Sequence, residues 1–129
     1  MNPEIKSYLQ DQAALLPVNR SISSVESERR AGVFLEVCAK IIDWRHLLSE
    51  GKIESVTMNA VVYAEQLSLC TGRTITENKV TVEANPKYTS VREELESVEN
   101  DISYLKAMLD VFTAAHVFYR QQAKEQFGG

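Results

Sequence analysis

Val91, Leu95, Val98, Ile102, Leu105, Leu109, Phe112, His116, Tyr119 and Ala123 follow one another at strictly alternating spacings of four and three. On a helix this spacing holds all of them on one slowly drifting stripe, the pattern of a seam that packs against another helix. A helix from about Ser90 to Gln126 rises ~1.5 Å per residue and reaches roughly 55 Å, beyond what a compact monomer of this size can wrap. The seam therefore predicts an all-α chain whose core is completed by partner helices, in an oligomer. A second stripe, Tyr104, Met108, Val111, Ala115 and Phe118, runs beside the first in the C-terminal half only. A face of that width suits a helix with two neighbours. The expected oligomer interface is accordingly Tyr104, Met108, Val111, Phe112, Ala115, Phe118 and Tyr119, with the Glu93–Asp101 half more exposed.

The rest of the chain supplies the seam's partners. Asn2-Pro3-Glu4 reads as a cap, a proline at the first helical position and an acid in the first turn, so a short amphipathic helix runs to about Leu16, where Pro17 stops it. Ser23 and Glu26 stand at capping-box spacing and open a long helix. Its stripe is Phe34, Val37, Ile41, Trp44 and Leu48, then Ile53, Val56, Ala60, Tyr63, Leu67 and Cys70. The step from Leu48 to Ile53 is five and coincides with Gly51. That glycine is either a tolerated helical residue or a left-handed cap between two helices, and one long, bent helix to about Leu69 is the favoured reading.

Thr71-Gly72-Arg73-Thr74 breaks the pattern, and Lys79-Val80-Thr81-Val82-Glu83 alternates with the period of a short strand that Asn85-Pro86 ends. A lone strand cannot satisfy its own backbone, so this one is expected to pair with Thr74–Thr76 or across a subunit boundary. The fold expected is a single helical domain: two long antiparallel helices in a hairpin (residues 23–70 and 90–126), a short N-terminal helix and linker (1–22), and a connection (71–89) with one or two strands.

Net charge −4, with both signs dispersed through 129 residues, gives no basic tail of the kind that marks a nucleic-acid binder. The absence of a long apolar run or a leader-like start predicts a cytoplasmic protein without a membrane span. Cys38 and Cys70 lie apart within helical patterns and are expected as reduced thiols, not metal ligands.

Chemistry-bearing groups are sparse. His116, on the seam, is either a hydrogen-bonded core histidine or a pH-sensitive element of an assembly. Asp43-Trp44-Arg45-His46 places Asp43 and His46 three apart, but no nucleophile or orienting group is within helical reach. Glu93, Glu94, Glu96, Glu99 and Asp101 crowd the start of the last helix as a solvated face or a docking patch for a basic partner. Phosphate-loop, dinucleotide, zinc-protease and nucleophile-elbow motifs are all missing. The chain is expected to be a non-enzyme without cofactor or metal. The candidate nucleic-acid contacts are Arg73, Lys79 and Lys87 on the connection with Arg120 and Lys124 near the C-terminus, too few in one copy but a continuous track in a ring.

The order of long helix, Thr71-Gly72 turn, short strand, Asn85-Pro86-Lys87-Tyr88, and a heptad helix starting Ser90-Val91-Arg92-Glu93-Glu94-Leu95 and containing Tyr104-Leu105 resembles the T4-type phage recombination-mediator family, the UvsY-like proteins. The likeness covers about Val33 to Lys124. It implies a homo-oligomer larger than a dimer, binding of single-stranded DNA, and assistance to a RecA-like recombinase against a single-strand-binding protein, in the host cytoplasm. The family's basic stretch lies at the end of the first long helix, whereas Asn59–Leu69 here holds no Lys or Arg. That departure moves the expected DNA contacts to Arg73, Lys79 and Lys87. It also leaves open a second reading, an oligomeric helical adaptor or inhibitor that lays its Glu93–Asp101 face on a basic protein surface and binds no DNA.

Overall fold

The computed structural model describes residues 1–16, 19–71 and 74–128. It holds four helices, α1 (Pro3–Ala13), α2 (Ser24–Ser68), α3 (Ile75–Glu83) and α4 (Pro86–Gly128). Each opens the same way, because the first backbone N–H groups of a helix have no carbonyl partner and a side-chain oxygen must accept from them. Asn2 Oδ1 accepts from Glu4 N at 2.8 Å, and Ser23 Oγ from Glu26 N at 3.1 Å. Thr74 Oγ1 accepts from Glu77 N at 3.2 Å, and Asn85 Oδ1 from Lys87 N at 2.9 Å.

The expected strands do not occur: residues 75–83 form α3, and no strand is present among the described residues. Thr74-Ile75-Thr76-Glu77 is a helix start of the Thr-x-x-Glu kind, and the helix satisfies its backbone internally where a lone strand could not. The valine alternation that suggested a strand marks different faces of the helix, Val82 buried and Val80 exposed. Likewise α4 begins at Pro86, not near Ser90. Asn85-Pro86 repeats the Asn2-Pro3 arrangement and starts a helix where a strand end was expected. At the other end of α1, Leu15 N and Leu16 N reach back only three residues, to Gln12 O and Ala13 O, so the helix tightens and stops ahead of Pro17.

The chain divides into two compact units, Met1–His46 with Ser103–Gly129 (unit 1) and Leu47–Ile102 (unit 2). In both, a stretch of α2 lies antiparallel against a stretch of α4, giving the helical-hairpin architecture. Unit 1 adds α1 and holds nearly all of the buried apolar side chains. Phe34, Val37, Ile41, Leu105, Phe112 and Tyr119 are completely buried. Phe34 packs at 5.7 Å from Phe112 and 5.9 Å from Tyr119, centroid to centroid. Leu9 anchors α1, with Tyr8 edge-on to Trp44 at 5.6 Å and the Lys40 ammonium 4.3 Å from the Tyr8 ring centre. The C-terminal half of the seam is thus covered by α2 of the same chain, not by a partner's helix.

Polar groups seal the end of unit 1. Tyr119 Oη accepts from Asn19 N at 3.0 Å and from Arg30 Nη1 at 3.2 Å, and buried Gln122 donates to Asn19 O and to Ser27 Oγ. Glu26 leaves the capping box half made. Its carboxylate accepts from Arg29 and Arg30 instead, and hydrogen bonds from Arg29 first and Arg30 second hold its pKa down to about 2.

In unit 2 polar groups share the contact between the helices with half-buried apolar ones. Lys52 Nζ stands 3.8 Å from Glu99 Oε1, Asn85 Nδ2 donates to Gln66 Oε1 at 2.9 Å, and Tyr63 meets Tyr88 edge-on at 5.4 Å. Val82 is this unit's one fully buried apolar side chain among the described residues.

The five-residue step explains the contrast. α2 runs through Gly51 without a break, so five residues at ~100° each turn the stripe about 140° past a full circle. Ile53, Val56, Ala60 and Leu67 consequently leave the face that Phe34, Ile41 and Leu48 occupy and are exposed, whereas Tyr63 and Cys70 of the same stripe remain half-buried beside half-buried Lys52, Ser55, Asn59 and Gln66.

Candidate docking and nucleic-acid surfaces

Four of the five candidate DNA-contacting residues lie among the described residues, and all four are exposed. Lys79 lies on α3 and Lys87 in the first turn of α4, both in unit 2, while Arg120 and Lys124 lie on the α4 stretch of unit 1. Arg73 lies outside the described residues. The accessible cations are thus divided between the units, two in each, a modest number for phosphate binding.

The residues expected at an oligomer interface separate into two groups. Phe112, Ala115 and Tyr119 are buried inside unit 1, where they pack against α2 of their own chain, and this corrects their assignment to a surface between copies. Tyr104, Met108 and Phe118 are half-buried and Val111 is exposed. Phe118 stacks edge-on with Tyr119 at 5.1 Å and carries the Arg20 guanidinium 5.7 Å over its ring. His116, also on the seam, has its partner within the chain. Its Nδ1 lies 2.7 Å from Ala31 O, and since a carbonyl only accepts, that nitrogen carries the proton.

The exposed apolar surface lies mostly in unit 2. Leu47, Ile53, Val56, Met58, Val61, Leu67, Leu69, Ile75 and Val80 are all exposed there, against Val25, Leu35, Ile42 and Val111 in unit 1. Ile53, Val56, Ala60 and Leu67 follow at three, four and seven and are exposed with no covering element among the described residues, while Tyr63 of the same heptad stripe turns in to Tyr88 of α4. A second feature lies between α2 and α4 within unit 2. This groove of about 370 Å³ is lined by Leu47, Leu48, Gly51, Glu54, Ser55, Met58, Glu94 and Val98. A Cβ placed on Gly51 would meet nothing within 4 Å, so the glycine leaves the floor of the groove open.

Both features escaped the sequence reading, and for both a signal was present. The five-residue step, combined with an unbroken helix, already requires the second stripe to leave the core face. Gly51, read only as a question about helix continuity, is also a missing side chain on that helix's surface.

The remaining candidates stay dispersed. Asp43 and His46 are exposed, and among the described residues no three His, Cys, Asp or Glu side chains are placed to hold a metal ion. Both cysteines are free, Cys38 buried with its sulfur 3.6 Å from Thr113 Oγ1, and Cys70 half-buried with its sulfur 3.5 Å from Gln66 O. Among the described residues no helix is long and apolar enough to cross a membrane. Comparison with protein-family models, with curated proteins and with solved structures finds no match.

Proposed function

We propose that this chain is a non-enzymatic, self-assembling recombination mediator of the phage type, which binds single-stranded DNA as an oligomer and assists loading of a RecA-like recombinase against a single-strand-binding protein. The observation that carries this reading is the uncovered heptad seam Ile53, Val56, Ala60 and Leu67 on a helical hairpin. Apolar residues at that spacing cost little while hidden and invite a second helix while exposed. Copies joined through the seam multiply the exposed cations Lys79, Lys87, Arg120 and Lys124 of each chain, supplying the positive charge that a single copy lacks. The assembly surface has moved relative to the sequence expectation, from the wide stripe of α4 to the outward face of α2.

Light scattering and a titration of fluorescent oligo(dT) test the reading together. The expected result is an assembly larger than a dimer whose affinity for the oligonucleotide falls steeply with salt, and an Ile53→Glu, Val56→Glu double variant that is monomeric and no longer binds. Absence of oligonucleotide binding at low salt with protein at tens of micromolar overturns it.

A further inference from the structure

Among the surfaces left unexplained, the groove of unit 2 combines apolar side chains with charge of one sign. Leu47, Met58 and Val98 supply the apolar contact, and Gly51 leaves room between them for an incoming side chain. Glu54 and Glu94 line it as well, one from α2 and one from α4. Both carboxylates are exposed and neither takes part in an ion pair among the described residues. No lysine or arginine lines the groove. An apolar trough between two uncompensated carboxylates favours an apolar segment with cations on both flanks over a neutral or acidic one, because opposite charges across a rim attract and like charges repel. The groove runs between two helices, the setting in which an amphipathic helix lays its apolar edge, and Met58 adds a side chain flexible enough to fit around it.

We propose that this groove is a docking site for an amphipathic helix of another protein, one whose apolar residues at three- and four-residue spacing are flanked by lysine or arginine. The site is separate from the outward seam of α2 and does not depend on DNA binding. Met58 makes it observable: of the chain's three methionines, Met58 lines the groove, Met108 lies in unit 1 and Met1 at the N-terminus.

The experiment uses the full chain with isotope-labelled methionine methyl groups and two synthetic probes. One is a helical Leu/Lys peptide with leucines at i, i+3, i+4 and i+7. The other is the same peptide with every lysine replaced by glutamate. The expected result is a saturable shift of the Met58 methyl signal, with Met108 unmoved, for the lysine peptide alone. Affinity should drop by roughly threefold to tenfold in Glu54→Lys, Glu94→Lys, which should gain the glutamate peptide instead. Gly51→Leu fills the groove while improving helix propensity at an open position, so it should fold at least as stably as the parent and lose the peptide. Equal binding of both peptides overturns the proposal, as does a Met58 signal that neither peptide moves. A Met58 shift that grows with protein concentration alone, without peptide, also overturns it, since the occupant would then be a second copy of this chain.

Discussion

Unit 1 and unit 2 are made largely from the same two helices, yet one encloses a set of fully buried aromatic and aliphatic side chains and the other, among the described residues, encloses Val82 alone. Where Met1–His46 meets Ser103–Gly129, α2 and α4 interlock through Phe34, Phe112 and Tyr119, with α1 laid over them. In Leu47–Ile102 they meet through Lys52 and Glu99, Gln66 and Asn85, and a tyrosine pair, while Leu47, Ile53, Val56, Val61 and Leu67 of α2 are exposed. The difference separates two jobs that one helix can hold along its length. The first half of α2 is spent on internal stability, and the second half keeps its apolar surface available. Burial of large aromatic side chains contributes several times what exposed or half-buried ion pairs do, so stability should concentrate in unit 1 and interaction in unit 2.

That division can be broken most forcefully at Phe34. Its side chain has no exposure and touches two aromatic rings, so Phe34→Ala should cost about 3–5 kcal/mol in urea unfolding, and a loss below about 1 kcal/mol would undo the claim that unit 1 carries the stability. A smaller effect is expected at Asn85, which caps α4 and bonds Gln66. Asn85→Ala should cost about 1 kcal/mol, and hydrogen exchange should speed up in residues 86–90 with the amides of unit 1 unchanged. If unit 1 amides accelerate equally, the two units are not separable in energy. The smallest change belongs to Ile53, which is 68% exposed. Ile53→Ser should alter monomer stability by no more than about 0.5 kcal/mol while lowering the assembly state seen by light scattering, and a large destabilisation would mean that its face is already covered.

What the sequence made legible follows from what local chemistry decides. Asn2-Pro3 and Ser23 with Glu26 announce helix starts, because caps depend on a few neighbouring atoms. The same chemistry lay unread in Thr74 with Glu77 and in Asn85-Pro86, where five residues of valine alternation suggested a strand; a period of two is weak evidence over so short a run. Heptad spacing correctly grouped Leu105, Phe112 and Tyr119 on one face. Spacing reports which residues share a face and not which chain covers it, so Phe112, Ala115 and Tyr119 were assigned to a partner when α2 of the same chain already lay over them. Neither the outward turn of Ile53, Val56 and Leu67 nor the groove beside Gly51 is a property of a single stripe. Each needs the rotation of one block of a helix relative to another.

The bond between Asn19 and Tyr119, a hundred positions apart in sequence, has a consequence for the order of events during synthesis. Unit 1 is assembled from the two ends of the chain and unit 2 from its uninterrupted middle. On a translating ribosome the middle therefore emerges whole before the second part of unit 1 does. The aromatic cluster around Phe34 must wait for Phe112 and Tyr119 to emerge, because closing so long a loop is slow and goes unrewarded until the last contacts form. During that interval the N-terminal helices stand with Phe34, Val37 and Ile41 uncovered. The nascent chain passes through a stage richer in exposed apolar surface than the finished molecule, and a chaperone or a neighbouring nascent copy has its best access then.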